Sequence, residues 1–531
     1  MDMHKIDADK ILLALGNWAP YQILTVTLLS SVWVFMAFQA MSWAFIGLYH
    51  PHTCVDAFNV SATLIYDMSC VTPSGLRCLN HTNATLAYDP SFGSTLISEF
   101  ELSCERYTYA QLGTTIYTAG GLLSNVIFAQ LSDSFGRKWV LLLSWWAAIL
   151  LTLARVITPG YVGQMILYVL LGAATTGMTT VGWVLCCELV TAKARGFYTT
   201  VSANCVWVIG YMLQGIAAMY IPQWRMMVLW TTAPWVLSIA LIWIVPESLH
   251  WLVAEKYYDQ AAAWISRAAK LNCRSKVDFT DCVRDETEED KVDTAVEEHR
   301  PRRTVLDVLR TPVLMFHGLV CCFNGVVGML VYWALSLFST QMSDDRFTGY
   351  FLSGLVEIPA GIMGPVLLLW IGRKTLTVAA MLISAVGFLA RFLLPNNAPT
   401  WQTLLTYLVA KYGNIMFFPG NFLIQSEVFP TTVRNLGFGI LGMLSTVGNM
   451  AAPFIGALLT TNPPLGSALF AGLCIISAIV TLVLPETKDK ELPEDLKDVE
   501  LGPFLSLFFK KKQPEIDGDE KKQALVNEEK A

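Results

Sequence analysis

Uncharged, apolar stretches long enough to cross a bilayer recur along almost the whole chain, and they limit its fold more than any other feature. A bilayer core takes roughly 20 apolar residues of helix per crossing. Inside lipid every backbone donor and acceptor must be satisfied within the protein, which leaves helices or closed barrels. The stretches predict twelve helices, near 21–48, 107–131, 139–158, 162–187, 197–221, 226–245, 313–339, 347–370, 375–394, 401–426, 433–460 and 466–485. Composition agrees, with 54% hydrophobic and only 15% charged residues, against roughly 25% charged in soluble domains. The expected class is therefore all-α integral membrane. Met1 to Lys10 is polar and the first apolar stretch is too long for a signal-peptide core, so no cleavable leader is expected. The net charge of −6 is spread over loops and tail and points to no nucleic-acid partner.

Basic residues beside the spans set the expected orientation. Arg137, Lys138, Lys193, Arg195, Arg373, Lys374 and Arg434 all fall on one side of the span count. The other side carries the polar loop 49–106, with glycosylation sequons at Asn59, Asn80 and Asn83 and four cysteines, Cys54, Cys70, Cys78 and Cys104. Cysteines among sequons predict an oxidised extracellular loop with two disulfides, whose pairing stays open among three connectivities. Both signals put the termini in the cytosol of a multi-pass plasma-membrane protein. The other cysteines lack metal-site spacing and read as packing residues. On this reading, 1–20 is a cytosolic N-terminus and 21–245 a six-helix half. Residues 246–312 form a cytosolic linker containing the DETEEDK run at Asp285 to Lys291, 313–485 a second half, and 486–531 a solvated tail. Lys510 to Lys512 is the part of that tail suited to anionic membrane lipid.

An internal repeat sharpens the picture. Asp133-Ser-Phe-Gly136-Arg137-Lys138 follows span two, and Trp370-Ile-Gly372-Arg373-Lys374 follows span eight; the glycines stand 236 positions apart. Glu188 precedes Arg195 by seven residues, as Glu427 precedes Arg434, at an offset of 239. Pro246-Glu247-Ser248 and Pro485-Glu486-Thr487 repeat at the same 239. Three matches in register imply two homologous, pseudo-symmetric six-helix halves with a site between them near the midplane, the design of an alternating-access carrier.

These repeated charges make a candidate gate. Glycine suits the tight turn before Arg137, Asp133 can pair with Arg137 or a helix N-terminus, and residues seven apart share a helix face. The expectation is two ion-pair clusters that latch the halves together on the cytosolic side and break as the protein opens. Static ion pairing is the simpler alternative. Two charges lie inside spans, Glu357 in span eight and Lys411 in span ten, each costly in hydrocarbon without water or a partner. Either they pair with each other and leave a neutral site, or Glu357 holds a substrate cation beside aromatic faces such as Trp207, Tyr332 and Trp333. Arg155 and Arg391, towards the ends of spans three and nine, read as snorkelling side chains. No nucleophile–base set, metal cluster or phosphate-binding loop appears, so neither an enzyme, a cofactor nor a primary pump is expected.

Several segments carry a family resemblance: STLISEFELSC at Ser94 to Cys104, the loop Asp133 to Lys138, PESLHWL at Pro246 to Leu252, LVEIPA at Leu355 to Ala360, EVFPTTVRNLG at Glu427 to Gly437 and LPET at Leu484 to Thr487. From Gly16 to Glu486 the chain resembles the organic cation, anion and carnitine transporters, solute carrier family 22 of the major facilitator superfamily. The resemblance implies a polyspecific, facilitative carrier of small organic ions with twelve helices in two halves. It also marks a departure. Cation carriers of the family hold an aspartate in span eleven, seven residues before a proline, and anion and carnitine carriers an arginine; counting back from Pro453, this chain has Thr446. Thr176 stands where cation members have a span-four lysine, Gly325 replaces a span-seven tryptophan, and Leu249 and His250 depart from PESPRWL. The remaining cavity positions are Asn204, Trp207, Tyr332, Glu357 and Lys411. The surviving acidic residue leans the reading to cations or zwitterions. An anion or neutral-solute carrier and a non-transporting binding protein on the same fold are the alternatives.

Overall fold

The computed structural model describes residues 8–16, 19–47, 52–55, 85–89, 93–103, 106–191, 194, 203–273, 310–395, 397–430, 432–488, 490, 493 and 499–505. Ten helices among these are long and apolar enough to span: Pro20–Ile46, Tyr107–Phe135, Arg137–Ile157, Tyr161–Glu188, Trp224–Ile244, Pro312–Leu337, Arg346–Leu368, Arg373–Leu393, Leu436–Thr461 and Pro463–Thr481. Two more, Ala203–Tyr220 and Thr400–Val428, complete spans five and ten. Span ten is the most instructive of the twelve. It buries Lys411, Asn414, Asn421 and Gln425, so its polarity is turned inward rather than to lipid. Pro20, Pro312 and Pro463 open spans one, seven and twelve, where a missing N–H costs nothing. Within spans six and eight, proline acts as a breaker. Span six runs as a tighter 3-10 helix over Ala233–Ala240, beside Pro234, and span eight is interrupted at Val356, with Glu357 starting the helix that continues.

The end bearing residues 49–106 is called the loop end, and the opposite end, bearing the segment between spans six and seven, the linker end. A two-stranded antiparallel hairpin, β1 (His52–Val55) and β2 (Thr85–Tyr88), lies outside the bundle and pairs His52 with Tyr88. At the linker end a short amphipathic helix, Ala8–Leu15, buries Ile11, Leu12 and Leu15, and two helices, Leu249–Ala254 and Tyr258–Leu271, follow span six. Asn272 joins these pieces: its side chain accepts from the Tyr21 amide (2.9 Å) and donates to the Leu15 carbonyl (3.3 Å).

At the loop end the halves are packed together. Tyr211 of span five stacks on Tyr350 of span eight, with ring centroids 4.3 Å apart. Thr115 donates to the Met450 carbonyl (2.8 Å) and Thr340 to the Ala44 carbonyl (3.3 Å). Towards the linker end, Gly439 and Gly442 of span eleven face open space, with nothing within 4 Å of where a Cβ would stand.

The repeat is legible in the packing. Arg155 and Arg391 stand 236 apart, and each lies against a tyrosine of the next span, Tyr168 and Tyr407, which stand 239 apart. The Arg155 guanidinium sits 3.6 Å from the Tyr168 ring centroid, and Arg391 interacts with the Tyr407 hydroxyl. Both arginines are buried, at 0% and 5% exposure, so the snorkelling expectation is corrected. Their heads turn into the bundle, where an aromatic partner replaces water.

Candidate functional site

Glu357 and Lys411 meet across spans eight and ten, with Nζ 2.8 Å from the carboxylate and side-chain exposures of 3% and 1%. The ammonium also donates to Ser353 Oγ (2.8 Å) and stands 5.0 and 5.5 Å from the Tyr211 and Tyr332 ring centroids. Tyr332 Oη lies 3.3 Å from both carboxylate oxygens and accepts from Trp207 Nε1 (3.0 Å). Asn204 donates to the Glu357 carbonyl (3.4 Å). Five sequence candidates, Asn204, Trp207, Tyr332, Glu357 and Lys411, thus form one bonded cluster reaching from span five in the first half to spans seven, eight and ten in the second. Burying two charges is tolerable only because each has a partner and further hydrogen bonds.

Two candidates lie apart from this cluster. Thr176 turns its hydroxyl against Gly121 of span two. Thr446 donates its hydroxyl back to the Gly442 carbonyl of its own helix (3.0 Å) and carries no charge.

Counting by the repeat, Glu357 falls on Gly121, Lys411 on Gly172 and Ser353 on Tyr117. The first half fills the same places with backbone contact. A Cβ at Gly172 would meet the Tyr117 carbonyl oxygen, and one at Gly120 the Val169 carbonyl oxygen. Spans two and four therefore touch through glycine, whereas spans eight and ten are bridged by a salt pair. Among the described residues, a buried salt pair between the second and fourth spans of a half is found in the second half alone.

Between the halves lies a narrow cleft lined by Gln39, Ala40, Trp43, Thr114, Tyr117, Thr118, Tyr168, Trp333 and Asn449. It is aromatic and amide-lined and carries no formal charge. Apart from Trp333 these residues were not legible as a site, because five spans far apart in sequence supply them in groups of one to three.

The gate candidates form two matching staples. Arg137 pairs with Asp133 (3.0 Å) and Glu188 (3.2 Å), and Arg373 with Glu427 (3.3 Å). Glu247 accepts from the Lys138 amide (3.0 Å), and Glu486 from the Arg373 amide (2.9 Å). Lys138 donates to the Ile242 carbonyl and Lys374 to those of Leu482 and Leu484. Gly136 has a positive φ of 90°, and its missing Cβ leaves room for the Glu247 carboxylate; Gly372 makes the same room for Glu486. Burial raises the Glu247 carboxyl above its ordinary range against the pull of its backbone donors. The described pairs each join spans of a single half, because these carboxylates sit beside the arginines of their own repeat; a latch between the halves would be parted in a protein packed at its loop end. Arg434 begins span eleven, while Arg195 lies outside the described residues. So do Cys70, Cys78, Cys104, Asn59, Asn80, Asn83 and the Asp285 to Lys291 run; Cys54 falls on β1, its side chain not described.

One ion pair escaped the sequence reading. Glu99, inside the STLISEFELSC segment, takes hydrogen bonds from Arg225 Nε (3.1 Å) and Trp224 Nε1 (2.7 Å). Arg225 also donates to the Arg155 and Thr158 carbonyls (3.2 and 3.0 Å), closing the end of span three. Burial opposes ionisation of Glu99, but the Arg225 and Trp224 bonds outweigh it and hold its carboxyl below the ordinary range. Arg225→Met is expected to cost about 2 kcal/mol, the scale of hydrogen bonds to a charged group. A thermal melt of the purified protein checks this; a Tm equal to the parent's contradicts it.

The fold, its duplicated staples and the cleft between halves define a membrane transporter of the major facilitator type. Residues 84–495 match the family described as "Sugar (and other) transporter". Solute carrier family 22 member 7 of Pongo abelii is 30% identical, covering 78% of this chain and 75% of that protein. The organic cation transporter protein of Drosophila melanogaster is 27% identical over 93% of this chain and 94% of its own. Human organic cation/carnitine transporter 2 is 27% identical, at 92% and 93%. Among solved structures, the xylose transporter XylE from E. coli in an inward-open conformation aligns at a TM-score of 0.60 and 16% identity, covering 90% of this chain and 99% of that one. The chain belongs to the sugar (and other) transporter family and, within it, to solute carrier family 22.

Proposed function

We propose that the protein is a facilitative carrier of small organic cations or zwitterions, working by alternating access in the plasma membrane with both termini cytosolic. The observation that carries this reading is the buried Glu357–Lys411 pair at the junction of the halves, beside an aromatic cleft without charge of its own. An aromatic face attracts a cation without demanding a carboxylate, and a neutralised pair sets up no field that would reject a zwitterion. The names of the relatives, organic cation and organic cation/carnitine transporters, support the same class. The orientation rests on the basic residues at the linker end. The staples are assigned the work of keeping each half rigid while the halves rock about the cleft.

A charge-graded uptake panel with and without a membrane potential tests this. Quaternary amines and carnitine-like zwitterions are expected to enter, the amines faster with the interior negative and the zwitterions unaffected. Rapid dicarboxylate uptake with none of the amines overturns the charge assignment. Competition by hexoses but not amines favours a neutral-solute carrier, a reading that the uncharged Thr446 and Thr176 support. Ligand binding without flux identifies a binding protein on a carrier fold.

A further inference from the structure

Trp43 closes span one in the helix Trp43–Ile46 and is only 6% exposed. It borders the central cleft on one side. On the other it borders a second, narrow chamber with room for about one water, lined among others by Tyr107, Gln111, Phe338 and Gln341 and thus by both halves. The indole is wedged between glycines. Its pyrrole edge occupies the space a Cβ on Gly47 would need, and its six-membered ring the space of a Cβ on Gly113. Tyr168 holds it edge-on, with ring centroids 5.1 Å apart. The inter-half bond from Thr340 to Ala44, the residue after Trp43, ties the same turn to the segment just after span seven.

We propose that Trp43 is the gate plug at the loop end, separating the central cleft from the outer chamber. The inference rests on the transporter reading. Rocking the halves apart at the loop end breaks the Thr340–Ala44 bond, frees the turn that carries Trp43 and joins the chambers. Gly113, the seat on span two, has no side chain to move as the ring withdraws.

Cysteine accessibility tests this without transport, so a failed uptake assay and a failed gate are told apart. Thr114→Cys places a thiol in the central cleft and Gln111→Cys one in the outer chamber. A membrane-impermeant trimethylammonium methanethiosulfonate is added from the loop-end side and scored over the parent's background. Adding Trp43→Ala is expected to speed modification of T114C by about tenfold or more, the factor of a barrier lowered by 1.4 kcal/mol. Q111C should react equally fast with and without it. Trp43→Phe, which keeps an aromatic plug, should leave T114C slow and controls for folding. An unchanged T114C rate, or equal acceleration of both thiols, overturns the gate.

Discussion

Lys411→Met is expected to abolish most transport, about tenfold or more, and to destabilise the folded protein by about 3–5 kcal/mol, the cost of stranding one charge of a buried pair. The stranded group is Glu357, whose carboxylate would keep only the Tyr332 hydroxyl among its present side-chain partners. Removing both charges separates stability from function. In E357Q/K411M the desolvation penalty disappears together with the attraction, and such exchanges are often neutral. The double variant should therefore melt near the parent temperature yet transport as poorly as K411M, because the junction of spans five, seven, eight and ten has lost its charged element. A K411M protein as stable as the parent contradicts the buried-pair reading. A double variant with parental flux shows that the pair is scaffolding only.

The second large effect is expected at a position with no charge at all. Gly172→Leu puts a side chain where the Tyr117 carbonyl now lies. The obstacle is backbone, so no rotamer change relieves it. Overpacking of this kind costs about 1–3 kcal/mol and more when a helix must shift. Loss of the monodisperse folded peak in detergent and of delivery to the cell surface is the expected result. Gly442→Ala and Gly472→Ala are the controls, since both positions face open space and alanine favours helix over glycine by about 0.5–1 kcal/mol. Normal folding of G172L would show that spans two and four are not locked together, and the asymmetry between the halves would lose its basis.

The spans were readable from hydropathy and the halves from three motifs in register, because both signals are local or repeat at fixed distances. The staples were readable as residues but not as geometry. Glu188 and Arg137 are separated by 51 positions, and only packing shows that they meet within one half. Sequence left the Glu357–Lys411 pair as one of two choices, and packing brings them to contact. Arg155 and Arg391 misled because a charge towards a span end has a cheap route to water. What turns them inward is a tyrosine one span away in each repeat. Trp43 and its glycine seats left no sequence signal, since a wedge between helices is a property of close approach. Glu99 and Arg225, 126 positions apart, were hidden for the same reason.

The most direct test of the account is counterflow in liposomes holding the purified protein. Unlabelled tetraethylammonium or carnitine inside should accelerate entry of the labelled compound outside and transiently concentrate it, as two halves turning about one loaded site require. K411M vesicles should show neither effect. Entry indifferent to the trans compartment, or binding with no exchange, contradicts the account.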